Sequence, residues 1–196
     1  NWLQFKVFAG LGGLLFGTTA TAQDYLLELR LSLHDSFHKV VDHSVQGELE
    51  GNFINPGYGL RFGRQFDPHT LFLEYNPEQD VEIKSANELA KVTSYFVGYR
   101  YSITPAIHLG GQIGQSSFEL VNGPDGVTFT ENPETSGLTY GFNMGYKHEL
   151  SEQLYLTAEG VLNFGSYKED GPSSTNVNSI EVQNQSQINI NVGWKI

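Results

Sequence analysis

The 196-residue chain carries no cysteine, and its 22 Asp and Glu outweigh 11 Lys and Arg to give a formal net charge of −11. The first fact excludes a disulfide framework, a cysteine zinc site and a thiol nucleophile; the second argues against a basic patch that would hold nucleic acid or an anionic lipid surface. The length suits one domain, large enough to bury a core or close a barrel, and no shift in composition marks a second.

Residues 1–22, NWLQFKVFAGLGGLLFGTTATA, hold a lone Lys6, an apolar run from Val7 to Phe16, and small residues that place Ala20 and Ala22 as in an A-x-A cleavage site. This predicts a secretory signal peptide followed by a mature domain over 23–196. The alternative, a membrane-spanning helix, needs about 20 apolar residues, and this run is half that length and broken by three glycines.

Beyond it the chain reads in period two, the mark of strands with one apolar and one polar face. Eight segments qualify: Asp24–Leu33, Gly57–Phe66, Leu71–Asn76, Val92–Ser102, Ile107–Leu120, Gly137–Leu150, Leu154–Tyr167 and Ser186–Ile196. In the last, Ile188, Ile190, Val192, Trp194 and Ile196 alternate strictly with polar or small residues. The fifth is the weakest, because Gly111 interrupts its apolar face. The connections alternate in length. DPHT, ITPA and SEQ are tight turns, whereas 35–52, 76–91, 121–136 and 168–185 are expected as long loops. Long and short connections in strict alternation predict an all-β, eight-stranded antiparallel up-and-down barrel, with every long loop at one end.

Which face meets the solvent follows from its side chains. The apolar face carries Leu27, Leu29, Leu31, Phe62, Tyr95, Tyr99, Tyr140, Phe142 and Tyr146 among others, too many large rings for the narrow interior of a soluble eight-stranded barrel. Against lipid, the same tyrosines form a headgroup girdle. The opposite face combines recurrent mid-strand glycine with Asn, Gln and Thr and with a nearly balanced set of charges: Glu28, Arg30, Arg61, Glu74, Arg100, Lys147 and Glu159. Enclosed charges must be paired, so these seven residues are expected to form a lumenal network. The remaining charge sits elsewhere: the four long connections hold 14 Asp or Glu against 4 Lys or Arg.

Signal peptide, eight alternating strands, three tight turns, four long connections and an apolar closing strand together resemble the small outer-membrane β-barrels of Gram-negative bacteria, of the OmpA, OmpX and opacity-protein type within the porin-like barrel superfamily. The likeness spans 23–196. It implies a transmembrane barrel in the cell outer membrane, monomeric, with short periplasmic turns and extracellular loops. Its implied partners are outer-membrane lipid and lipopolysaccharide, and the barrel-assembly machinery acting through the last strand. Such strands usually end in an aromatic residue; here Trp194 precedes a terminal Ile196.

Four activities compete. A permanent pore conflicts with a lumen that side chains about fill. A lipid A-modifying enzyme has one weak signal, HDSFH, where His34, Asp35, Ser36 and His38 mark the outer end of the first strand; His34 and Ser36 share a face that Asp35 does not, and polar clusters are ordinary at loop starts. His148 has no serine partner. Divalent metal binding by NPEQDVE, VNGPDG or KEDG lacks the fixed oxygen spacing that calcium requires. Surface interaction through the loops is the leading expectation, with a possible extracellular ligand there and no catalytic residue, metal or cofactor. The alternative outside membranes is a secreted ligand-binding barrel of lipocalin or streptavidin type.

Overall fold

The computed structural model describes residues 25–42, 47–83, 88–122, 134–165, 167–170 and 177–196, with side-chain surroundings over 25–33, 56–78, 91–119, 121, 136–165 and 186–196. The expected signal peptide lies outside them. Among the described residues nine strands form one antiparallel sheet: β1 (Tyr25–Asp42), β2 (Gly47–Phe66), β3 (His69–Ile83), β4 (Glu88–Ser102), β5 (Ile107–Asn122), β6 (Glu134–Glu149), β7 (Leu154–Phe164), β8 (Tyr167–Asp170) and β9 (Val177–Lys195). β1 to β7 pair in sequence order, and β9 pairs with β8, β7 and β1, which closes the sheet. Because β8 takes over the edge of β9 where β7 ends, the two share one stave, and the barrel is eight-stranded.

The turns at one end are as short as their residues predict. Only Asp67 and Pro68 lie between β2 and β3. At the next turn the Thr104 hydroxyl accepts from the amide of Ile107 at 3.0 Å, and at the third the Ser151 hydroxyl accepts from that of Leu154 at 3.0 Å. Both are side-chain substitutes for a backbone turn bond.

At the other end the expectation of long loops is corrected. β1 and β2 stay paired from Tyr25↔Arg64 up to Asp42↔Gly47, and β3 with β4 up to Ile83↔Glu88. Much of 35–52 and 76–91 is therefore hydrogen-bonded hairpin. Hydrophobic alternation reports a difference between two solvents, so it fades where both faces of a strand meet water, although the backbone ladder continues.

Within the alternating zone the two faces separate cleanly. Leu29, Phe142 and Ile188 on the outside are 40%, 65% and 67% exposed, whereas Arg61 and Glu159 inside are each 1% exposed. An apolar surface that runs around the whole barrel far exceeds the patches water-soluble monomers tolerate, so its solvent is hydrocarbon. Rings border it at both ends. Toward the hairpins lie Tyr58, Tyr75, Tyr95 and Tyr140, with Tyr75 and Tyr95 stacked at 4.9 Å; toward the turns lie Tyr99, Tyr101, Tyr146 and Trp194.

Leu29, near the middle of this belt on β1, supplies a test of the outward assignment. Leu29→Arg is expected to cost about 2–4 kcal/mol of unfolding free energy in lipid vesicles, measured by urea titration. A change below about 0.5 kcal/mol would place that side chain in water.

Candidate functional site

The inward faces bring together an ion-pair cluster that spans the barrel. Register builds its first part: Glu28 on β1 is directly paired with Arg61 on β2, and Arg61 with Glu74 on β3, so three opposite charges stand side by side on adjacent strands. Arg61 Nη1 donates to Glu28 at 3.0 Å, and its Nε and Nη2 donate to Glu74 at 3.1 and 2.6 Å. Reaching inward, Nη2 also donates to Glu159 on β7 at 2.9 Å. Arg100 on β4 spans the same two glutamates, at 2.7 Å to Glu28 and 2.5 Å to Glu159. Arg30 pairs with Glu74 and donates to Gln187 on β9 at 2.9 Å.

Three further polar side chains complete the cluster. The Tyr155 hydroxyl donates to Glu28 at 3.0 Å, Asn76 donates to Glu74 at 2.9 Å, and His108 Nε2 lies 3.2 Å from Glu159. The Phe72 ring lies beneath two guanidiniums, 4.1 Å from that of Arg61 and 5.2 Å from that of Arg100. That face-on placement adds cation–π attraction where water is excluded. Three arginines and three glutamates balance.

The recurrent glycines make the room. Phe72 is register-paired with Gly98, Tyr155 with Gly193 and His108 with Gly145, and each ring lies across its partner. A Cβ at any of the three glycines would collide with that ring. Each of these three inward rings therefore requires the glycine on the neighbouring strand at its own height, the arrangement known as aromatic rescue. Above the charges the filling turns neutral. Gln112 donates to Asn163 at 2.9 Å, Ser116 to Ser94 at 3.1 Å and Thr139 to Ser116 at 3.3 Å, with Phe96 and Phe118 buried beside them.

Of the seven charges grouped from the sequence, six meet in this cluster and Lys147 does not. Its Nζ lies 3.3 Å from Glu149 and 5.7 Å from the centroid of the Tyr155 ring, at the turn end, where Lys195 also reaches Glu149 at 2.7 Å. Lys147 is two pairs from the end of β6, so its long stem carries the ammonium toward water instead of across the lumen. His108 and Tyr155 were not singled out. The phase of their strands was the available signal, since His108 lies two residues before Gly110 and Tyr155 two before Thr157, both on the polar face.

The other candidates do not assemble. The backbone of His34, Asp35, Ser36 and His38 lies in β1, but their side chains fall outside the described residues, as do most of NPEQDVE, VNGPDG and KEDG. Of the first acidic stretch, Asn76 turns into the lumen and Glu78 pairs with Lys91 at 2.6 Å. His148 is exposed on the outer face. Among the described residues no group of three His, Asp or Glu side chains is arranged to hold a metal ion. The lumenal cluster holds charge in place; it presents no nucleophile.

Glu159 accepts from two arginines, so removing it orphans both. Glu159→Ala is expected to lower unfolding stability in lipid vesicles by about 3–5 kcal/mol. Lys147→Ala, which breaks only a partly exposed pair, should cost less than about 1 kcal/mol. Equal effects would contradict the separation of Lys147 from the cluster.

No protein-family profile matches the chain, and no curated protein matches it. Solved structures do. The crystal structure of Neisserial surface protein A superposes with a TM-score of 0.59 over 91% of this chain and 100% of that one, at 12% sequence identity. Outer membrane protein AlkL, solved by solid-state NMR in DMPC lipid bilayers, gives 0.59 over 90% and 92%, at 11% identity. The likeness is one of fold, and it agrees with the lipid-facing surface described above: the chain is a closed, up-and-down, eight-stranded β-barrel of the small outer-membrane type.

Proposed function

We propose that this protein is a monomeric outer-membrane anchor: a barrel whose lumen is closed to ions and whose hairpins on the far side of the membrane are its working surface. The observation that carries the reading is the reach of Arg61 and Arg100. Around the eight staves, Arg61 lies three places from Glu159, and Arg100 lies three places from both Glu28 and Glu159. Side chains from nearly opposite walls thus meet in the middle of the lumen. An ion passing that level would have to part charge pairs from which water is excluded, and breaking one buried pair costs about 3–5 kcal/mol.

The hairpin end is where the chain's negative charge collects, with 14 acidic and 4 basic residues across the four long connections. Binding groups concentrate on segments held out by a rigid scaffold, and an acidic rim selects partners that carry positive charge. No catalytic step belongs to this reading, because the buried cluster offers proton acceptors and donors but no nucleophile beside them.

Planar-bilayer recording of the purified protein tests it. The expected trace shows no steady conductance steps at neutral pH. A persistent open level in most insertions would overturn the closed lumen and favour a small-solute channel.

A further inference from the structure

Beyond the membrane zone the barrel wall is divided. β2 and β3 are paired only from Phe66↔His69 to Leu60↔Tyr75. Above that level β2 continues through 47–59, paired with β1 on its other side, and β3 continues through 76–83, paired with β4. Among the described residues no ladder joins these two upper segments to each other. Each therefore presents one edge of main-chain N–H and C=O groups to the seam between them.

The sequence explains why the ladder stops. Continuing the register Leu60↔Tyr75 upward would set Tyr58 opposite Pro77 and Pro56 opposite Gln79. Neither proline has an N–H to donate, and proline in a sheet belongs on an edge or at a bulge. The β3–β4 register is indeed shifted between Asn76 and Gln79, so the path of β3 bends at Pro77. A second interruption lies between β6 and β8, but β8 is only four residues long and offers little edge.

Charge selects what could fill the longer seam. The β2 segment carries Glu48 and Glu50, the β3 segment Glu78, Asp80 and Glu82, and neither contains Lys or Arg. The nearest lysines on the strands behind are Lys39, paired with Glu50, and Lys91, paired with Asp80 and bonded to Glu78, so the seam stays negative after both are counted. Like charges oppose insertion of a second copy of this chain, which is how natural sheet edges are kept from joining one another.

We infer that the edge of β2 over 47–55 is a strand-addition site for an extended, basic segment of a partner protein. Main-chain hydrogen bonds would hold the segment and the flanking carboxylates would choose it. At roughly 3.3 Å per residue the β2 edge ahead of Pro56 is on the order of 30 Å long, enough for a strand of about eight residues. This inference rests on the surface-interaction reading above.

The test uses the full chain, refolded in zwitterionic detergent, and a fluorescent 12-residue peptide alternating Lys with Val. A second peptide has the same sequence but is N-methylated at every residue, which removes donors from both edges and keeps the charge. The unmethylated peptide is expected to bind at least tenfold more tightly than its methylated counterpart and to slow amide exchange within 47–55. Combining Glu48→Lys with Glu50→Lys should weaken it tenfold or more, with the heat-dependent gel shift of the folded barrel unchanged. Equal binding of the two peptides would reduce the seam to a charged patch, and absence of binding by a correctly folded barrel would remove the site. Neither result touches the closed lumen, which the conductance record decides separately.

Discussion

Hydrocarbon offers no partner to a backbone N–H or C=O, and that constraint organises the molecule. A sheet immersed in lipid must pair every strand on both sides, so it must close, as β9 does on β1. Closure then sorts the side chains, because successive residues point to opposite faces and only one face touches lipid. Leu27, Leu29 and Leu31 go out while Glu28 and Arg30 go in, from one stretch of β1. A slip of one residue in any strand would exchange these sets, sending Arg30 or Arg61 into the bilayer. The belt and the ion cluster thus fix the same register from both sides of the wall.

The cluster is costly in itself. Withdrawing six formal charges from water carries a penalty that their mutual attraction offsets only when geometry and hydrogen bonding are good. Here each glutamate touches at least two cationic groups, and Tyr155, Asn76 and His108 supply further contacts. Phe72 fills the space under the guanidiniums, and the glycines opposite the large rings let the wall approach them. The result is a level at which three arginines face three glutamates across the lumen, which is the physical basis for the proposal that the barrel is an anchor.

What the sequence made legible follows from which signals survive without neighbours. Period-two alternation located all eight staves, because within the membrane zone the two solvents differ most. It also assigned Glu28, Arg30, Arg61, Glu74, Arg100 and Glu159 to the inside. It could not tell that Lys147 stands too near the end of its strand to join them, since height within the barrel depends on stagger between strands. Tyr155 was hidden by chemistry: the outer girdle is built of tyrosine, and one tyrosine of the opposite phase does not stand out in composition. The upper hairpins have the sequence pattern of loops because polar residues at successive positions erase the alternation while leaving the ladder intact. Pro56 and Pro77 were visible from the start, but their meaning as the point where β2 and β3 part required the register.

The chain contains no cysteine, so single labels can be placed at will. The most direct measurement is nitroxide accessibility in lipid vesicles for Leu29→Cys, Phe142→Cys and Ile190→Cys, each labelled in turn. The account predicts frequent collision with molecular oxygen dissolved in the bilayer and little with a water-soluble nickel complex. The reverse pattern at these three positions would put water on the apolar face and contradict the assignment on which the barrel, its lumen and its surface all depend.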